Sequence, residues 1–179
     1  MNQLRIAYVL AAMLSLAMLN TPALAEPHHA KLVGFQEVPV VVTEGSGHFK
    51  VDIAPGDGSF DFELSYEGIE GGAIQQAHIH VGQRNVNGGI VVFLCTNLTP
   101  PVGVPTPPPC PASPGTVTGT RTSADVLAQT TQGVSAGELS AVLTALRKGR
   151  AYANVHSAVS PGGEIRGQIS RGGHHHDDD

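Results

Sequence analysis

Gly47-His48-Phe49-Lys50-Val51-Asp52-Ile53, Pro55-Gly56-Asp57-Gly58 and Ser59-Phe60-Asp61-Phe62-Glu63-Leu64-Ser65-Tyr66 together decide the fold. In the first run Phe49, Val51 and Ile53 alternate with His48, Lys50 and Asp52; in the last, Phe60, Phe62 and Leu64 alternate with polar residues. A period of two is what a strand with one buried face requires, because successive side chains point to opposite sides of a sheet. The Pro-Gly-Asp-Gly between the runs is turn chemistry, so the stretch reads as a hairpin.

Working outward, the same grammar recurs. Leu32 to Pro39 reads as a first edge segment, since a proline near its end removes a ladder donor. Further strands are expected over 74–81, 89–94, 115–121, 150–156 and 164–169. Ser135-Ala136-Gly137-Glu138 offers a cap and a capping-box acid before Leu139, Val142, Leu143 and Leu146, which share one helical face. About eight short strands and one short helix imply an all-β fold, an antiparallel Greek-key sandwich or barrel.

The first 25 residues read as a signal peptide. Arg5 is the positive flank, Ile6 to Leu19 the apolar stretch and Ala23-Leu24-Ala25 the cleavage signal. Cleavage leaves 179 − 25 = 154 residues, one domain's worth, secreted or periplasmic and without a membrane span. Removing Arg5 leaves nine basic residues against fifteen acids, a net −6, which argues against a nucleic-acid partner. Residues 26–30 are expected to be a flexible start, and 171–179, ending His174-His175-His176-Asp177-Asp178-Asp179, a disordered low-complexity tail. Glu26-Pro27-His28 cannot form an amino-terminal copper site, because Pro27 has no N–H to deprotonate.

Cys95 and Cys110 bracket a proline-rich loop. An even pair in an exported protein favours a disulfide, and closing a loop of this size contributes about 3 kcal/mol on the chain-entropy argument. Asn97-Leu98-Thr99 inside that loop is formally a glycosylation acceptor.

The chemistry is expected at His78, His80 and His156. In 76–82 the two histidines take the side opposite Ala77, Ile79 and Val81; in 150–156 Tyr152, Asn154 and His156 take the side opposite Ala151, Ala153 and Val155. All three histidines therefore belong to a polar, exposed face, and two imidazoles at i and i+2 lie about 7 Å apart at the backbone. Three neutral imidazoles without clustered carboxylates suit copper or zinc rather than calcium or magnesium. His48 is a possible fourth ligand.

These motifs resemble the CHRD domain, the module named for its repeats in chordin. The resemblance is carried by Leu32 to Pro39, Ala77-His78-Ile79-His80-Val81-Gly82, Gly88 to Leu94, Tyr152-Ala153-Asn154-Val155-His156-Ser157 and Pro161 to Ile169. It spans 31–170 and implies a single-domain protein. The growth-factor role of chordin does not carry over, because the cysteine-rich companion modules are missing. A second likeness is to copper/zinc superoxide dismutase, through His-x-His on a strand, a later histidine after Gly149-Arg150, and Arg166; it implies a superoxide-dismutase-like barrel. The zinc loop and bridging histidine of that family have no counterpart here.

Three functions follow as expectations. The first is an extracytoplasmic metal-binding module without catalysis, its partner the ion. The second is an adhesion or interaction domain meeting an extracellular protein or matrix partner, and the third a copper-only dismutase in which Arg166 guides the anion unless it pairs with Glu164. No phosphate-binding loop, dinucleotide fingerprint or Gly-x-Ser-x-Gly elbow is present in the sequence.

Overall fold

The structure is a computed structural model describing residues 24–171; the expected leader up to residue 23 and the tail from 172 lie outside the described residues. Its elements are β1 (Glu26–Val33), β2 (Ser46–Ile53), β3 (Ser59–Glu67), β4 (Ile74–Val81), β5 (Gly89–Thr96), β6 (Gly115–Thr122), α1 (Leu139–Arg147), β7 (Ala151–Ser157), β8 (Ile165–Gln168) and β9 (Ser170–Arg171). All pairings are antiparallel, in the order β5-β4-β7-β8-β1-β2-β3-β6, with β9 beside β1. The sheet curls into a nearly closed barrel. Its open seam lies between β5 and β6, where Arg121 of β6 donates from Nε to Phe93 O at 3.0 Å and from Nη2 to Leu94 O at 2.9 Å on β5. Across that seam the order β7-β4-β5-β6 is a Greek key.

The hairpin forms as its sequence requires, with Ser46 opposite Glu67 and Ile53 opposite Phe60. Its turn holds Gly56 and Asp57 at positive φ, closed by the Ala54 N–H to Ser59 O bond of 3.0 Å. Leu32, Phe49, Val51, Phe60, Leu64, Ile79, Leu94 and Ile165 fill the interior. Leu139, Val142, Leu143 and Leu146 of α1 join that core, as their spacing predicts. The helix begins without the expected serine cap: the Glu138 carboxylate instead accepts the Ser135 N–H at 2.9 Å in the preceding turn. Cys95 and Cys110 are joined, and among the described residues no helix is long and apolar enough to cross a membrane.

The first described strand departs from expectation. Residues 26–30 are strand rather than flexible, and the first segment ends at Val33 rather than Pro39. It is also central, paired along its whole length with β2 and at its ends with β8 and β9. The cause is a continuation of the alternation: His28, Ala30 and Leu32 all point inward. Glu26 is further pinned by Arg147, which donates from Nε at 2.8 Å while its other nitrogens hold Asp57.

Candidate metal centre

The register across β5, β4, β7 and β8 builds the site in rows. His78 stands opposite Phe93 and Asn154, and Asn154 opposite Arg166; the next row is Ile90, His80, Tyr152 and Gln168; His156 faces Gln76. Directly paired residues share a face, so His78, His80 and His156 come together outside the barrel while Ala77, Ile79, Ala153 and Val155 face the core. The three rings each offer one nitrogen, and these nitrogens lie within 4.8 Å of one another. His78 and His156 have centroids 4.8 Å apart, and His78 and His80 5.5 Å.

The face is not exposed, as alternation alone suggests. His78, His80 and His156 are 0%, 7% and 6% exposed. Loops roof the strands, and the outward polar side chains are what hold them there. His80 Nδ1 bonds Gly88 O and His156 Nδ1 bonds Pro161 O, both at 2.9 Å. Arg166, 1% exposed, lies 3.4 Å over the Tyr152 ring and donates to Val86 O at 2.9 Å, with Gln83 O and Asn87 Oδ1 at 3.2 Å. Asn87 in turn donates to Val38 O at 3.0 Å. Glu164 does not pair with Arg166; it accepts from Thr43 Oγ1, Glu70 N and Gly71 N between 2.8 and 3.0 Å. Burial pushes its carboxyl up, but these bonds and one from Ser157 leave it below the usual range.

Burial governs the charge of the cluster. It drives His78 well below its ordinary pKa, with the neighbouring His156 and His80 charges adding to the effect. It takes His80 down to about 4, against opposing bonds from Gly88 and Asn154 and with help from His156 and Arg166. It lowers His156 despite the bond to Pro161. At neutral pH all three rings are uncharged, the form in which imidazole ligates.

The tautomers follow from the bonds. A carbonyl only accepts, so Nδ1 of His80 and of His156 carries the proton and Nε2 keeps the lone pair. His156 Nε2 and both nitrogens of His78 are buried without a hydrogen-bond partner. Orphaned lone pairs in a buried site cost stability, whereas rings anchored through their far nitrogen are arranged as a metal's ligands are. The residues therefore fit an imidazole-bound ion, and this cluster can hold one.

His48 is not among them: it is exposed on β2, between Lys31 and Ser65. His28 is held within β1, its Nε2 3.3 Å from Glu26 Oε1. Sequence reading passed over Asn154 and Tyr152 as site residues, although their parity was legible, and missed Glu37 and Phe93. Glu37 sits in a loop where no periodicity points to it; burial raises its carboxyl to about 6, partly countered by Val38 N–H, Asn154 and Arg166. The Asn97 amide is spent inside the fold, donating to Ile74 O and Cys110 O at 2.9 Å and accepting from Cys110 N at 3.0 Å.

Among known proteins, the CHRD domain family matches residues 29–169, nearly all of the described chain. No curated protein matches it as a relative.

Proposed function

The chain belongs to the CHRD-domain family, and from that premise we propose that it is an exported, single-domain protein binding one copper or zinc ion through His78, His80 and His156. The observation that carries this reading is the set of neutral, buried imidazoles with nitrogens within 4.8 Å, two of them fixed by carbonyls at Nδ1. An ion held there would supply a fixed positive charge to a site otherwise left with orphaned lone pairs. Gly88 and Pro161 orient two of the rings, Phe93 packs edge-on against His78 at 4.3 Å, and all three rings are buried. Enclosure favours a carrier or structural centre over a catalyst, which needs an open coordination position. Export is supported by the leader pattern and by the disulfide.

The test is metal stoichiometry by equilibrium dialysis against Zn²⁺ and Cu²⁺, on the full chain with His174→Ala, His175→Ala and His176→Ala so that the tail adds no ligands. One equivalent per chain is expected, lost on His80→Ala and retained on His48→Ala. Binding that survives His78→Ala with His80→Ala would refute the reading.

A further inference from the structure

The hydrogen-bond chain beside the cluster contains a contact that the unliganded groups cannot satisfy. Glu37, 6% exposed, faces Asn154 Nδ2 at 3.4 Å. An ionised carboxylate only accepts, so the asparagine must turn its NH₂ toward Glu37 and its oxygen the other way. That oxygen lies 3.1 Å from His80 Nε2, the nitrogen whose lone pair is free because Nδ1 donates to Gly88. Two acceptors thus meet in a buried place. The amide has little freedom to move off: a Cβ on Gly163 would collide with Glu37 Oε1 and come within 2.9 Å of Asn154 Nδ2, so the backbone presses closely on both groups.

Something positive belongs between such a pair. Ligand bonds of about 2.1 Å place neighbouring donors of a tetrahedron about 3.4 Å apart, close to the observed separation. Resting on the three-histidine reading, we infer that Asn154 Oδ1 is the fourth ligand, with Glu37 as the residue that points it inward. The set becomes three nitrogens and one hard oxygen, completing a tetrahedron. Such a set suits zinc(II), which takes four ligands tetrahedrally in closed sites, better than copper(II), which prefers a tetragonal arrangement, or copper(I), which favours soft donors. Asn154 is on β7 two residues before His156 and opposite His78, so the strand pairing that brings the histidines together also delivers the oxygen.

The experiment uses Co²⁺ as a visible-absorbing substitute for zinc, in the full chain with the three tail histidines replaced by alanine. Spectra are read together with affinity in competition with a chelator. The parent is expected to show the intense visible bands of four-coordinate cobalt. Asn154→Leu removes the oxygen but leaves three imidazoles, and should change the bands and weaken binding at least about 10-fold. Asn154→Asp combined with Glu37→Gln keeps an oxygen facing His80, because the glutamine NH₂ donates to the new carboxylate; it should retain four-coordinate bands even if the leucine variant does not fold. Unchanged bands and affinity in Asn154→Leu, or loss of the bands in the double variant, would overturn the assignment while the histidine site stands. Cobalt uptake indifferent to His80→Ala would instead overturn the histidine reading, and this inference with it.

Discussion

On β2, β3 and β6 the outward row Lys50, Glu63 and Thr118 meets solvent, whereas on β4, β7 and β8 the row His78, Asn154 and Arg166 is buried. Both rows alternate with core residues, and both are polar. The difference lies above the sheet. Loops from 34–44, 82–88 and 158–164 descend on the second half of the barrel and are bonded to its polar side chains, Glu37 to Asn154, Gly88 to His80, Val86 to Arg166 and Pro161 to His156. A polar row under a roof must satisfy its hydrogen bonds within the protein, and three of the five buried atoms that fail to do so, on His78 and His156, lie at the candidate site, the others being His28 Nδ1 and Gln168 Oε1.

The contrast is most easily broken at Arg166. Arg166→Ala removes a buried guanidinium that holds the 82–88 loop, and should cost about 3 kcal/mol in urea unfolding. A loss below about 1 kcal/mol would mean that the loop is not held by that residue.

The covered half should also carry the pH dependence of the metal-free protein. The three histidines have lowered pKa values in the folded state, so the unfolded chain binds more protons as pH falls below 6.5 and stability must drop. His80, at about 4, accounts for about 2 kcal/mol between pH 7 and pH 5. Glu37 works the other way: raised to about 6, it binds protons preferentially in the folded state between 6 and 4.5 and offsets part of the loss. Thermal unfolding in chelator should therefore show a lower midpoint at pH 5 than at pH 7. Replacing all three histidines should remove most of the decline, the remainder resting on His28, which burial also lowers; a decline undiminished in that variant would place its origin elsewhere.

Smaller effects sharpen the same boundary. Tyr152→Phe keeps the ring between Arg166 and His80 but loses the hydroxyl that accepts the Gly88 N–H at 3.1 Å, an expected loss of about 1 kcal/mol. Lys50→Ala, on the open half, should leave the urea midpoint essentially unchanged, its ion pair with Asp52 being exposed to solvent. A Lys50 effect matching that of Tyr152 would erase the distinction between the halves.

How much was legible divides along the same line. Strand parity in 47–66 needs only local alternation, and it gave both the hairpin and its inward face. Parity likewise put His78, His80 and His156 on one face. Whether that face is wet depends on residues far away in sequence, such as Asn87 on Val38 and Glu164 on Thr43, which no period records. The segment 123–134 was unreadable for a related reason. It has little regular structure and covers the β5 edge through single bonds, Leu127 N–H to Val91 O and Gln129 Nε2 to Ile90 O. The central position of β1 was missed because Pro39 suggested an edge, while the inward alternation of His28, Ala30 and Leu32 began before the segment considered.

Histidine-selective ¹⁵N NMR of the full chain, recorded before and after one equivalent of Zn²⁺, tests the central claim most directly. Without metal, His80 and His156 should be neutral and protonated at Nδ1. Zinc should shift their Nε2 resonances and one nitrogen of His78 while both Nδ1 protons remain. Shifts confined to exposed histidines such as His29 and His48 or to the tail, with the three buried rings unmoved, would contradict it.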